Sequence, residues 1–275
     1  MDAIVDAQVP GAVVRGHYPA KECGRLLKRI VDRGLIRDPD QHSPAGAPTR
    51  EDVGSSLSNL ASSLSALTTG DLDTDREAFL AHSATTHELF AELFDGLADP
   101  VAALYDALSR VFPGRKVMVA REPDGRRYGP AIFRVHYGGH AYAPHTNHVR
   151  VADHLYHMAV SRFTHQLAAL ICFRNGANDA SRAATTSGSP GVHATIYRTL
   201  KTPEIQRSCE TGTFHDLIAA RGIDSYTIEV EPGDFYLFNS GLMHEVPAVQ
   251  TDEPRVVLAA FVGYSAEDEE VFVWA

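Results

Sequence analysis

From residue 115 onward, the sequence is a series of short segments rich in β-branched and aromatic residues, and this pattern constrains the fold most strongly. Such segments are typical of β-strands, and the Gly, Pro, Asn and Asp residues between them are typical of turns. Most of the gaps are too short for a helix, which argues against a parallel βαβ sheet. About eight strands at this spacing predict a jelly-roll or cupin-like barrel. The segments are KVMVA, AIFRVHY, HQLAALICFR, VHATIYR, DSYTIEVEP, DFYLFN and RVVLAAFVGY.

The first part of the chain has the periodicity of helices. Apolar residues recur at helical spacing over residues 26–35 and 76–112, and Pro100 is expected to divide the second stretch into two helices. Residues 36–75 are rich in Ser, Pro, Gly, Asp and Thr, which predicts a long surface excursion with a helical turn near residues 57–67. One further helical insertion is expected at residues 202–220.

These patterns predict a mainly β protein with N-terminal helices, in a single domain that spans residues 1–275. We expect residues 1–114 to form a helical support and a lid over the barrel mouth, and residues 115–275 to form the β core. The sequence contains no internal repeat and no Pro-rich linker between two cores, which favours one domain.

The composition of the chain argues against some classes of partner. The formal net charge of −10 at pH 7 argues against a nucleic-acid backbone as partner, because phosphate binding needs a basic surface. No apolar stretch is long enough to span a membrane. The three cysteines, Cys23, Cys172 and Cys209, fit no zinc spacing and indicate a reducing compartment. We therefore expect a cytoplasmic protein, and a homodimer stays open as its assembly.

Two polar segments interrupt the apolar strands and contain candidate ligands for a metal. Residues 134–148 include Tyr142-Ala-Pro-His145-Thr-Asn147, and residues 231–246 include His244. Redox iron enzymes commonly hold the metal with two imidazoles and one carboxylate on one face of an octahedron, which leaves positions for cosubstrate and oxygen. Side chains at i and i+2 lie on the same face of a strand, so His145 and Asn147 can share a site.

The order of these elements resembles the Fe(II)/2-oxoglutarate-dependent dioxygenases, over roughly residues 115–265. The phrase from Tyr142 to Asn147 is similar to the family's Y-x-P-H-x-D motif, and the second segment resembles the strands that deliver its distal histidine. Arg255 lies eleven residues after His244, about where the family places an arginine that binds 2-oxoglutarate. Bacterial small-molecule hydroxylases and the related carrier-independent halogenases are the most similar branch.

The resemblance implies a double-stranded β-helix that uses Fe(II), 2-oxoglutarate as cosubstrate and O2. It places His145, Asn147 and His244 at the metal, and Arg255 and Tyr142 at 2-oxoglutarate. From the residues alone, the histidines could be ordinary barrel residues, Tyr142 could be core packing, and Arg255 could be a surface residue of an edge strand.

Two further residues of the first segment are candidates for substrate binding. Arg134 could bind a substrate carboxylate or phosphate, with a structural salt bridge as the alternative. His148 is one of several histidines crowded into this region, most of which we expect to be solvated or structural.

Asn147 departs from the family pattern, which has a carboxylate at this position. Its neutral amide could be a weak third ligand, it could leave a coordination site to water or halide, or it could be a deliberate replacement of Asp. Asn is bulkier than the small residue of the halogenases, which disfavours the halide interpretation. Asp153 is a poorer substitute because its spacing does not match the motif.

The expected reaction is oxidation of an unactivated C–H bond of a small molecule, such as an amino acid or a natural-product intermediate. Hydroxylation is the default outcome, and halogenation, desaturation or ring formation are alternatives. Two other hypotheses stay open: a cupin-like metalloenzyme that does not use 2-oxoglutarate, and a binding protein without activity.

Overall fold

The structure, a computed structural model, describes residues 2–57, 72–151, 155–176, 191–249 and 253–275. Within these ranges, an eight-stranded sheet and a four-stranded sheet form the centre of the molecule. The strands are β1 Gly11–Val14, β2 Arg50–Val53, β3 Lys116–Val119, β4 Ile132–His136, β5 Tyr142–His145, β6 His165–Asn175, β7 Ala194–Leu200, β8 Ser225–Ile228, β9 Phe235–Asn239, β10 Leu242–Val246, β11 Arg255–Tyr264 and β12 Glu270–Trp274.

Six α-helices accompany the sheets in the described residues. They are α1 Asp2–Val5, α2 Ala20–Asp32, α3 Leu72–Phe94, α4 Pro100–Val111, α5 Pro203–Glu210 and α6 Phe214–Arg221. Two short 3-10 turns, Val149–Val151 and Ala159–Arg162, lie between β5 and β6. None of the described helices meets the length and apolarity required to cross a membrane.

The larger sheet runs in the order β1-β9-β6-β11-β12-β3, with β4 also paired to β11 and β2 paired to β4. The smaller sheet has the order β5-β10-β7-β8. Neighbouring strands are antiparallel apart from β12 and β3. Apolar side chains of both sheets pack together in one cluster, which includes Ala168, Ile196 and Phe238. This sandwich is the jelly roll of a double-stranded β-helix, so the predicted fold class is confirmed.

Alternation along the central strands separates a helix-facing side from an inner side. On β11, Val256 and Leu258 belong to the core that contacts the helices, whereas Arg255 and Val257 line the space between the sheets. Strand β4 alternates in the same way. Because β11 pairs with β4, β6 and β12, Arg255 is on an interior strand, and the edge-strand alternative is wrong.

The helical predictions after residue 70 are confirmed. The break between α3 and α4 falls before Pro100, and the carboxylate of Asp99 accepts hydrogen bonds from the backbone N–H groups of Val101 (2.8 Å) and Ala102 (3.0 Å). The predicted insertion at residues 202–220 consists of two helices, α5 and α6, with Gly212 at positive φ between them.

The expected division at residue 114 does not separate helices from strands. Strand β1 pairs with β9, and β2 pairs with β4, so two N-terminal segments are part of the larger sheet. Both are four residues long, too short for a periodic signal, and the sequence REDV of β2 has low strand propensity. The helical turn expected at residues 57–67 lies outside the described residues, apart from Leu57.

Candidate active site

A cavity of about 550 Å³ lies between the two sheets. One wall is apolar and includes Leu170, Phe238, Val246 and Phe261, which β6, β9, β10 and β11 supply. The polar lining comes from six strands and from the loop after β5. It consists of Arg50, Asp52, Arg134, His136, Tyr142, His145, Asn147, Tyr236, His244 and Arg255.

His145 and His244 face each other at one end of this cavity. They are register partners in the antiparallel pair of β5 and β10, and their ring centroids are 4.3 Å apart. His244 is buried with 4% of its surface exposed. The fold therefore brings together the two histidines that the sequence proposed as metal ligands.

Backbone carbonyl groups fix the orientation of both imidazole rings. Nδ1 of His145 lies 2.7 Å from the carbonyl oxygen of Ala143, and Nδ1 of His244 lies 2.8 Å from that of Leu242. A carbonyl oxygen only accepts, so each Nδ1 carries a hydrogen and donates it, which leaves the lone pair on Nε2. Nε2 is the atom through which a neutral imidazole would bind a metal.

Burial keeps these imidazoles neutral. It lowers the pKa of His145, and burial, together with the repulsion between the two rings when both carry a proton, lowers the pKa of His244 to about 3. Neither ring needs to lose a proton near neutral pH before it can bind a cation.

Asn147 is the third member of this group. Its amide Nδ2 lies 3.1 Å from Nε2 of His244, and its backbone N–H donates to the carbonyl oxygen of Ser240 at 2.8 Å. The Ser240 hydroxyl donates to the Asn147 carbonyl at 2.9 Å, so the backbone at residue 147 is held from both sides. Asp153, the substitute carboxylate considered from the sequence, lies outside the described residues.

Two imidazole nitrogens and an amide oxygen fit Fe(II), although without the usual charge compensation. No group of three His, Cys, Asp or Glu side chains that could hold a metal ion occurs among the described residues. Imidazole suits iron, and a neutral third ligand lowers the affinity of the site without changing its shape.

Arg255 is a buried cation in the same cavity, with 3% of its surface exposed. Its Nη2 donates to the hydroxyl of Tyr236 at 2.7 Å, its Nη1 donates to Nδ1 of His136 at 3.2 Å, and its Nε has no partner in the described part of the chain. Its hydrogen-bonding partners are thus neutral. A buried guanidinium without a carboxylate is costly unless an anion binds it, so this residue fits the carboxylate of 2-oxoglutarate.

Tyr142 lies between His136 and His145, and Arg134 contacts its hydroxyl. Nη1 of Arg134 donates to the Tyr142 hydroxyl at 3.1 Å, and Nη2 donates to the Ser56 hydroxyl at 3.2 Å. The Tyr142 ring lies 5.7 Å from that of His145. Both predicted residues therefore line the cavity, and the Tyr142 ring also packs against the apolar cluster between the sheets.

His148 is not brought to the cavity. The chain forms a 3-10 turn directly after it, and its Nε2 lies 3.4 Å from the carbonyl oxygen of Thr164. The geometry therefore gives no support to a role for His148 in substrate binding.

Sequence reasoning missed four polar residues that line the cavity: Arg50, Asp52, His136 and Tyr236. The alternation in AIFRVHY places His136 on the same face as Arg134, and this signal could have revealed it. Arg50 and Asp52 lie in a segment that was expected to be an excursion, so the sequence offered no signal for them.

Enzymes that combine Fe(II) with 2-oxoglutarate bind both inside a jelly roll, with two histidines at the metal and a basic residue for the cosubstrate. This chain is a non-haem iron, 2-oxoglutarate-dependent oxygenase of that class, as the sequence predicted. It belongs to the family described as carrier-protein-independent halogenase WelO5, whose sequence model matches residues 1–275.

Solved structures agree with this fold. An N-substituted L-amino acid dioxygenase from Burkholderia ambifaria AMMD superposes with a TM-score of 0.65 at 14% identity, covering 100% of this chain and 89% of that one. The same enzyme in complex with alpha-KG gives a TM-score of 0.60 at 13% identity, with 100% and 89% coverage. No curated protein matches the sequence.

Proposed function

We propose that this oxygenase hydroxylates an unactivated C–H bond of a small molecule that carries a carboxylate. The observation that carries the proposal is the facing pair of His145 and His244, neutral and oriented, in the same cavity as the buried cation Arg255. The pair supplies the metal ligands, and the cation supplies the anchor for a dicarboxylic cosubstrate.

His145, His244 and the amide oxygen of Asn147 would hold the iron. Bound iron and 2-oxoglutarate supply the oxidising chemistry, in which 2-oxoglutarate and O2 are converted to succinate and carbon dioxide while one oxygen atom enters the substrate. The protein's own contribution is to orient the ligands, as the carbonyl groups of Ala143 and Leu242 do.

Arg255 would bind the distal carboxylate of 2-oxoglutarate. The Tyr142 hydroxyl accepts a hydrogen bond from Arg134, so its own hydrogen is available to donate to the cosubstrate.

Arg134 would bind the carboxylate of the substrate. It lies on the Tyr142 side of the cavity, next to the proposed metal, and its positive charge contributes to lowering the pKa of His145, after burial, which has the larger effect. The apolar wall opposite suits a hydrocarbon body. The structurally similar dioxygenase from Burkholderia ambifaria acts on N-substituted L-amino acids by its name, which makes acylated amino acids the first substrates to test.

Halogenation is the second candidate, favoured by the neutral residue at position 147 and by the family's description as halogenases. Without a carboxylate, the site lacks one negative charge, and a halide ion could compensate for it. The bulk of the Asn147 amide, so near His244, weighs against this reading.

A screen for substrate-stimulated succinate formation tests both candidates. We would incubate the iron-loaded protein with 2-oxoglutarate, chloride and a panel of free and N-acylated amino acids, and determine product masses. Added oxygen supports hydroxylation, and replacement of hydrogen by chlorine supports the second candidate. Succinate formation with Arg134→Gln that matches the parent at every substrate concentration overturns the role of Arg134. The cytoplasmic location and the homodimer stay predictions.

A further inference from the structure

Three charged or polar side chains form one row across the larger sheet. His136 on β4 is the register partner of Arg255 on β11 and of Arg50 on β2. All three line the cavity, and His136 is buried with 1% of its surface exposed. His136 therefore lies directly beside the arginine that is proposed to bind 2-oxoglutarate.

The contact with Arg255 determines which nitrogen of His136 carries the proton. Nη1 of Arg255 lies 3.2 Å from Nδ1 of His136, and because a guanidinium has only donors, Nδ1 must accept. Burial and then the charge of Arg255 lower the pKa of His136 well below its usual value, so the ring is neutral. A neutral ring with a bare Nδ1 carries its hydrogen on Nε2.

This Nε2–H lacks a partner. Among the described residues, no acceptor lies within hydrogen-bonding distance of Nε2 of His136, and the same holds for Nε–H of the adjacent Arg255. A buried donor without an acceptor costs about 1–3 kcal/mol. The Nε2–H of His136 and the Nε–H of the cationic Arg255 together are suited to bind an anion.

The ring of His136 is fixed in position. It stacks on His140 with ring centroids 4.6 Å apart and meets the edge of Tyr142 at 5.0 Å. The hydroxyl of Tyr236 accepts a hydrogen bond from Arg255, so its own hydrogen is free to point into the cavity that it lines. A ligand carboxylate at Arg255 would thus meet donors whose positions are set before binding.

We propose that His136 is a second cosubstrate-binding residue, whose Nε2–H donates to the carboxylate of 2-oxoglutarate that Arg255 binds. This inference rests on the proposed binding of 2-oxoglutarate at Arg255. The neutral imidazole adds a directional hydrogen bond without adding charge. It therefore favours a 2-oxo acid with a distal carboxylate over one that ends in a methyl group.

The test compares two cosubstrates that differ only at the distal end, 2-oxoglutarate and 2-oxopentanoate. Each would be titrated anaerobically into the Fe(II) protein, with the visible metal-to-keto-acid band as the readout. His136→Phe keeps a ring for stacking and removes the donor. We expect His136→Phe to weaken the binding of 2-oxoglutarate about tenfold, because one charge-assisted hydrogen bond is lost. The binding of 2-oxopentanoate should weaken less than about twofold, because that acid has no distal carboxylate to accept the bond.

Two variants separate this effect from a general disturbance. His136→Gln places an amide N–H near the position of Nε2 and should recover part of the lost affinity for 2-oxoglutarate. His165→Phe replaces a strand histidine that stacks on Tyr264 at 5.3 Å outside the cavity, and it should bind both acids as the parent does. If His136→Phe weakens the binding of both acids equally, or of neither acid, the inference is overturned.

Nuclear magnetic resonance of the parent protein provides a measurement that needs no variant. With ¹⁵N-labelled histidine and Zn(II) in place of iron, we expect His136 to be protonated at Nε2 and its proton signal to move downfield when 2-oxoglutarate is added. A proton on Nδ1 overturns the inference. A parent protein in which neither acid gives a band overturns the proposed function itself, which distinguishes the two failures.

Discussion

The amide nitrogen of Asn147 lies 3.1 Å from Nε2 of His244, the lone pair through which that histidine would bind a metal. In this arrangement the amide donates a hydrogen bond to the imidazole. Metal binding requires the bond to break and the amide to turn, so that Oδ1 replaces Nδ2. With Asn147 as the proposed third ligand, that ligand would be neutral, and the site would retain one more positive charge than a site with Asp.

Restoring a carboxylate at this position should strengthen metal binding. We expect Asn147→Asp to raise the affinity for Fe(II) about tenfold or more, because an added negative charge within a few ångströms of a divalent ion stabilises it even at high effective dielectric. Anaerobic competition against a coloured chelator measures this affinity. Equal or weaker binding by Asn147→Asp would show that position 147 does not face the metal.

Arg255 should lower the free energy of unfolding of the ligand-free protein and should be necessary for cosubstrate binding. Arg255→Met removes a buried cation that has only neutral partners, so we expect the ligand-free protein to be as stable as the parent or more stable. The same variant should bind 2-oxoglutarate at least about a hundredfold more weakly. Urea unfolding with and without Fe(II) and 2-oxoglutarate measures both effects. An Arg255→Met protein that is much less stable than the parent, and that still binds 2-oxoglutarate, would contradict both expectations.

Acid should destabilise the metal-free protein through its buried histidines. The folded pKa of His244 is about 3 and that of His136 is well below its usual value, whereas both would titrate near 6.5 in the unfolded chain. Below pH 6.5 the unfolded state therefore binds protons that the folded state does not. The free energy of unfolding should fall as pH decreases, approaching about 1.4 kcal/mol per pH unit for each histidine.

Urea unfolding at pH 7.5 and pH 5.5 checks this dependence. His136→Phe removes one of the titrating groups, so its loss of stability between the two pH values should be smaller by about 1 kcal/mol. Stability that stays constant or rises on acidification would contradict the neutral state of these rings.

Glu122 should be a stabilising buried carboxylate away from the cavity. It accepts hydrogen bonds from Nη2 of Arg76 at 2.7 Å, from the backbone N–H of Ala159 at 3.0 Å and from the Tyr128 hydroxyl. Glu122→Ala leaves these donors unpaired and should lower the free energy of unfolding by about 2–3 kcal/mol, with Glu122→Gln closer to the parent. A change below about 0.5 kcal/mol for Glu122→Ala would contradict this account.

The strands were predictable because their signals are local, whereas the proximity of His145 and His244, which depends on the pairing of β5 with β10, was predicted from the resemblance of the motif order to the dioxygenase family. Alternation along β4, β6 and β11 specifies which face is buried, and the i, i+2 spacing of His145 and Asn147 predicts that both side chains lie on one face. These patterns depend on period-two geometry, which is independent of the rest of the chain.

Two features of the cavity region depend on tertiary context: the residues that β2 contributes to the lining, and the position of the His148 ring. Arg50 and Asp52 reach the cavity only because β2 pairs with β4, and nothing in the sequence REDV indicates that partner. His148 is adjacent in sequence to a proposed ligand, but the 3-10 turn that follows directs its ring to Thr164. Tertiary context decides both cases, and a local pattern cannot encode it.

The most direct test of the proposed iron and 2-oxoglutarate site is an anaerobic titration of Fe(II) and 2-oxoglutarate into the metal-free protein. The visible metal-to-keto-acid charge-transfer band is the signal that reports binding. His145→Ala and His244→Ala should abolish the band, and Arg255→Ala should shift its formation to much higher 2-oxoglutarate concentrations. A band that survives in both histidine variants, or no band in either the parent or Asn147→Asp, would contradict the assignment of this cavity as an iron and 2-oxoglutarate site.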